Sequence, residues 1–165
     1  MRSVARQGLP PQHRGHGWFV LSGAAAKQAA SPLEFATLCQ RLREGEASTW
    51  AEEIEKDVLR TFPAHPSFAA GGPGRRALSE LLCAYSLRNT RVGYCQGMNF
   101  LAAFALLQLD SERAFWLLAV ICEVFFPNSV RMMMMMTMMI MMIKIMMLLL
   151  LLLCCCSCCC SYCSC

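Results

Sequence analysis

Two short stretches carry polar side chains whose types and spacing could do chemistry. In IEKDVLR, Ile54, Asp57 and Arg60 recur every three residues, which places them near one helical face. On spacing alone, Asp57 and Arg60 read as a surface i, i+3 ion pair contributing about 0.2–0.5 kcal/mol. The second stretch is VGYCQGMNF, residues 92–100, where a single amide, Gln96, stands between a thiol and a glycine in otherwise apolar company. A guanidinium is a permanent cation with a planar fork of donors, and an amide donates and accepts at once. Taken alone, Gln96 reads as a residue satisfying a buried backbone group at a helix start, with Gly97 permitting the turn. Other reactive patterns are missing. The sequence has no GxxxxGK[ST], which speaks against a phosphate-binding loop of its own, and no HExxH or GxSxG. GGPG at 71–74 has no strand before it, so a dinucleotide site is not supported. His13, His16 and His65 are scattered and read as solvated loop residues.

The elements that would position these side chains are helical. In STWAEEIEKDVLRTFP, Thr49 and Glu52 have capping-box spacing, and Trp50, Ile54 and Val58 form one apolar stripe. Pro63 bars continuation, so Arg60 is expected in or near the last turn. RRALSELLCAYSLRN is helical by the spacing of Leu78, Leu81, Leu82 and Tyr85, and AHPSFAAGGPG before it is a loop. GMNFLAAFALLQL is apolar nearly all round, as a central buried helix would be, and SERAFWLLAVICEVFF is a further helix opened by Ser111 and stopped by Pro127. Upstream, GLPPQHRGHG reads as loop, and Trp18 to Ala30 begins the core. SPLEFATLCQRLREG reads as a helix capped by Ser31, with Pro32 in its first turn, Gly45 past its end and an apolar face of Leu33, Phe35, Ala36, Leu38, Cys39 and Leu42. No segment alternates as a strand does, so the expected fold class is all-α.

Composition divides the chain in two. Residues 1–131 have an ordinary globular mix, whereas 132–165 hold 11 of the 13 Met and 8 of the 12 Cys. The formal charge of +4, from 15 basic and 11 acidic residues, is spread without a block of like charge, and no nucleic-acid partner is expected. Cys39, Cys83, Cys95 and Cys122 lack CxxC spacing and a nearby His, which suits reduced thiols and no metal site. The N-terminus has no apolar run of the secretory kind. The tail, 132–165, is low-complexity, without caps or periodicity. One reading is a translated triplet repeat, since Thr, Ile, Lys and Leu lie one base from the Met codon and Ser and Tyr one base from a Cys codon. A second is a membrane span over 132–153, long enough to cross a bilayer though interrupted by Lys144. A thiol metal site at Cys154, Cys155 and Cys156 lacks the usual ligand spacing.

With its surroundings, the polar pair gains a context. RQGLPPQHRGHGW, LSGA, IEKDVLRTFPAHPSF, AYSLRNTRVGYCQGMNFLAA and ERAFWLL, in that order, resemble the TBC domain of Rab GTPase-activating proteins over about residues 6–128. Arg14, Gly15 and Trp18 are similar to the family's RGxxW signature. Ser111 stands where an acidic residue is usual. The resemblance stops near Asn128, where further C-terminal helices are expected, which makes 1–131 a partial TBC domain followed by an unrelated tail. The resemblance implies a protein that completes the active site of a Rab holding GTP and magnesium, with no cofactor of its own and no reaction catalysed alone. Arg60 would be the arginine finger, and Gln96 would replace the GTPase's own glutamine and orient the attacking water. Asp57 would orient Arg60, Tyr94 and Asn99 would fix the glutamine loop, and Arg14 and Trp18 would be structural or contact the Rab. The implied place is the cytoplasm, peripheral to trafficking membranes, reached through the Rab or through the tail. A non-catalytic Rab-binding module, an inactive fragment and a protein anchored by 132–153 stay open as alternatives.

Overall fold

The computed structural model describes residues 9–125. Among them the chain forms only helices: α1 (Pro11–Leu21), α2 (Ala24–Ala30), α3 (Phe35–Arg43), α4 (Ala51–Arg60), α5 (Pro73–Arg88), α6 (Met98–Leu106) and α7 (Ser111–Val120), with a π-helical turn over Ile121–Phe125. No strand occurs among the described residues, as the absence of period-two alternation requires. The readings placed on the tail, and Pro127, fall outside the described residues.

Two helices make the centre. Every residue of α7 from Ala114 to Val120 is buried, and α7 packs on α1, α2, α5 and α6. The long α5 buries Leu78, Leu81, Leu82 and Tyr85 against α3, α4, α6 and α7. Each fully buried side chain of this size contributes about 1.5–3 kcal/mol through removal of apolar surface from water. Phe115 and Trp116 meet at 85°, edge to face, and Phe35 of α3 closes on Phe115 at 4.8 Å. The apolar residues of SERAFWLLAVICEVFF are buried through α7, but Val124 and Phe125 are exposed in the π-helical turn, and α6 leaves Leu101 and Phe104 in solvent. So α6 is not buried all round.

Several local expectations give way to tertiary context. The loop reading of GLPPQHRGHG fails: α1 begins at Pro11, whose missing N–H costs nothing in a first turn. Gly15 weakens that helix intrinsically, but a Cβ there would lie 2.2 Å from the Gln108 carbonyl oxygen, so only glycine lets α1 rest on the α6–α7 connection. His13 and His16 are therefore helical, though solvated as expected, and His65 is exposed. Ser31 does not cap α3. It closes α2 and donates to the Leu33 carbonyl, and α3 starts later, at Phe35, with Pro32 in the connecting turn. Ala36 is exposed, while Phe35, Leu38 and Cys39 are buried. The Thr49–Glu52 capping box does not form: α4 starts at Ala51, and the Ser48 hydroxyl instead accepts from the Trp50 N–H. Ser111 is the first residue of α7, but the cap is Asp110, whose carboxylate accepts from the Arg113 N–H at 2.9 Å.

Cys39, Cys83 and Cys122 are free thiols. Burial pushes the Cys39 thiol up to about 11 and the Cys122 thiol up to about 12, so both stay protonated and neither offers a thiolate.

A charged cluster ties the end of this core together. Glu123 in the π turn pairs with Lys27 of α2 at 2.7 Å and with Arg88 of α5, whose guanidinium also lies over the Trp116 ring at 5.2 Å. Burial opposes ionisation of Glu123, but hydrogen bonds from Lys27 and Asn89 and the nearby cations outweigh it and hold the carboxyl below its ordinary value. A depressed carboxylate stabilises the fold above its unfolded pKa and loses that contribution as pH falls through its folded pKa. Stability should therefore fall on acidification below about 4.5. Glu123→Gln should lower stability at neutral pH by about 3 kcal/mol, the low end for breaking a buried pair, because all three groups keep some solvent. Urea unfolding at several pH values checks both statements; a glutamine variant with an unchanged midpoint at pH 7 would contradict them.

Candidate functional site

The C-terminal end of α4 and the turn entering α6 meet through their polar groups. Arg60 occupies the last turn of α4, and the chain leaves the helix at Thr61, because a residue before proline, here Phe62, is barred from continuing it. Phe62 takes φ 43°, a left-handed conformation that costs about 1–3 kcal/mol outside glycine. It is held there by its ring, edge-on to Phe100 at 5.5 Å.

Asp57 and Arg60 form the ion pair their spacing suggested, at 2.6 Å, but not a bland surface pair. The Arg60 side chain is 55% exposed and the Asp57 side chain only 10%, so a buried carboxylate presents an exposed guanidinium. Asp57 tolerates burial because its second oxygen accepts from the Tyr94 hydroxyl at 2.6 Å. Burial, and then the adjacent carboxylate, push the Tyr94 phenol far above the usual tyrosine range, so it remains a donor. Asp57 thus holds the arginine on one side and the turn containing Gln96 on the other.

A second path joins the same two segments. The Gly97 N–H donates to Asn99 Oδ1 at 3.1 Å, Asn99 Nδ2 donates to Thr61 Oγ1 at 2.7 Å, and the Thr61 hydroxyl donates to the Asp57 carbonyl at 2.6 Å. Asn99 and Thr61 are completely buried. Residues 94–97 are therefore fastened to residues 57–61 at both ends. Gln96 lies between the fastenings and is exposed, with no hydrogen bond to another described residue. The expectation that its amide satisfies a buried backbone group is overturned; Asn99 performs that task at the Gly97 N–H. Gly97 has φ 103°, so glycine is required to start α6 at this angle.

The turn is braced from below by Trp50. Gly93 has φ 61°, and a Cβ there would stand 2.4 Å from Trp50 Nε1. Gly93→Ala combines positive-φ strain with a clash against a ring and should cost more than about 2 kcal/mol. Chemical denaturation measures this, and a loss below half that size would show that the indole moves aside freely.

Arg14 and Trp18 do not join this network. Arg14 donates to the Leu9 carbonyl at 3.0 Å on the surface of α1. Trp18 stacks on Phe104 of α6 with 5.5 Å between rings, a structural contact that docks α1 beside the helix following the glutamine turn. Thr61 is the member of the network that no sequence pattern singles out. A cavity of about 610 Å³ lies elsewhere, between α3, α4 and α5, and includes neither Arg60 nor Gln96. Two of its arginines are already engaged, Arg43 with Glu80 and Arg75 with the Phe68 carbonyl. No cluster of metal-ligating side chains occurs among the described residues, and none of the described helices is long and apolar enough to cross a membrane.

The all-helical fold that carries these two segments is that of a known family. Residues 11–154 match the Rab-GTPase-TBC domain, and the chain belongs to that family. The match reaches beyond Asn128 into the Met- and Leu-rich segment. The chain is 38% identical over 133 residues to TBC1 domain family member 2B of Xenopus tropicalis, covering 78% of this chain and 14% of that protein. It is 37% identical over 129 residues to TBC1 domain family member 10A of Mus musculus, covering 78% and 25%. The crystal structure of the Chlamydomonas flagellar RabGAP TBC domain superposes with a TM-score of 0.66 at 37% identity, over 74% of this chain and 42% of that one. The chain thus spans a quarter or less of the length of these curated relatives.

Proposed function

We propose that the protein is a GTPase activator for a Rab-family small GTPase, to which it supplies Arg60 and Gln96 in trans. The observation that carries this reading is the double fastening of the Gln96 turn to the Arg60 helix through Asp57–Tyr94 and through Thr61–Asn99–Gly97. Such fastening gives two exposed, chemically distinct groups a fixed mutual placement, which is what electrostatic and positional catalysis requires. The guanidinium would neutralise charge spreading over the phosphate oxygens as the bond to the γ-phosphoryl breaks. The amide would accept from and donate to the attacking water, where a carboxylate would repel the phosphate. GTP and magnesium belong to the partner, and the protein needs no cofactor of its own for these roles. It would act in the cytoplasm at the surface of trafficking membranes, reaching them through the membrane-bound Rab. The test is single-turnover hydrolysis by a panel of GTP-loaded Rabs, with and without the full chain. Stimulation of at least one Rab supports the reading; tight binding without stimulation would instead identify a binding module.

A further inference from the structure

We infer that Thr61 is a positioning residue for the stimulated reaction: its hydroxyl sets the spacing between the Arg60 guanidinium and the Gln96 amide. The inference rests on the activator reading above and adds to it a residue that touches neither the partner nor the nucleotide. Three observations carry it. In a continuing helix the Asp57 carbonyl would accept from the backbone N–H of residue 61. Here that N–H turns to Val58 at 3.2 Å, and the Thr61 hydroxyl takes the Asp57 carbonyl at 2.6 Å. The hydroxyl thus replaces the lost helical bond and lets the helix stop directly after Arg60 without leaving a buried acceptor unpaired.

Because the Thr61 proton is committed to Asp57, its oxygen is left as an acceptor. Only the amide nitrogen of Asn99 can answer it, at 2.7 Å, which turns the Asn99 carbonyl oxygen toward the Gly97 N–H. The orientation of Asn99 is therefore decided by Thr61. Every donor in the chain from Gly97 to Asp57 points the same way, an arrangement in which each bond polarises the next. Thr61 is also wholly buried, so no water can take its place without repacking.

The test compares Thr61→Val, which keeps the shape and removes the hydroxyl, with Thr61→Ser, which keeps the hydroxyl. Stimulated hydrolysis of a responsive Rab is measured with the full chain in single turnover, as the maximal rate and the half-saturating concentration separately. Thr61→Val should lower the maximal rate about 10- to 100-fold with little change in half-saturation, as a displacement of about 1 Å would do. Thr61→Ser should restore most of the loss. In a Gln96→Ala background, Thr61→Val should add less than about twofold, because it acts through a side chain already removed. Thr61→Ala runs in parallel, so that the comparison with serine stands where the valine variant does not fold. A valine penalty of equal size in the Gln96→Ala background, or a serine variant as poor as valine, reduces Thr61 to a structural residue and overturns the inference. Full activity of Thr61→Val beside an inactive Arg60→Ala overturns it too, with the activator reading intact. Absence of stimulation by the unaltered chain sinks the activator reading itself, whereas full activity of Arg60→Ala removes only the arginine from it.

Discussion

Arg60→Ala should lower stimulated GTP hydrolysis by about 10³- to 10⁵-fold, or about 4–7 kcal/mol of barrier, while binding of the GTP-loaded partner changes little. The size follows from where the guanidinium acts. Its charge is needed when negative charge builds on the phosphoryl oxygens, so it contributes to the transition state far more than to the complex that precedes it. The fold should lose only about 1–3 kcal/mol, because Arg60 is more than half exposed although the Asp57 carboxylate it leaves behind is buried. Asp57 retains its bond from Tyr94 when the arginine is gone. Arg60→Lys should rescue little, because an ammonium supplies the charge but not the planar fork that contacts two oxygens at once. Single-turnover hydrolysis beside a binding titration and a thermal melt separates these effects. A variant that loses binding in parallel with rate would place Arg60 in ordinary partner recognition.

The parts of this site that are legible in the sequence are those governed by local geometry. The helix carrying Asp57 and Arg60 shows in the stripe of Ile54 and Val58, and its end shows in Pro63, because both depend on residues within a turn or two. The burial of Asp57 is not legible, since it is decided by Tyr94, 37 residues later. Thr61 escapes notice for the same reason: its acceptor partner is within the helix it closes, but its donor partner, Asn99, arrives from α6. Threonine after a helix is so common that nothing local marks this one. At α1, Pro and Gly argue for loop by intrinsic propensity, and the contact that outweighs them, Gly15 against the Gln108 carbonyl, is tertiary. Gln96 sits in the turn its spacing indicates, but its local task differs, since an apolar neighbourhood in sequence suggests a burial that the turn does not impose.

Gln96→Ala should lower the maximal stimulated rate by about 10²- to 10³-fold, the range seen when one preorganised polar group is removed from a reacting centre. Its exposure makes the variant unusually clean. No hydrogen bond to a described residue is lost, and an exposed truncation of this sort shifts stability by no more than about 0.5 kcal/mol. The turn itself is held by Tyr94 and by the Gly97 N–H, neither of which needs the Gln96 side chain. Any rate loss therefore reports on chemistry. The partner's own glutamine supplies the decisive contrast. If Gln96 orients the attacking water, a Rab whose switch glutamine is replaced by alanine should still be stimulated, and Gln96→Ala should not be. Combined with Arg60→Ala, the loss should be smaller than the product of the two single losses, because groups that act on one transition state fail together. Should Gln96→Ala keep full activity while the Rab glutamine variant is dead, the water is positioned by the partner and only the arginine is supplied in trans.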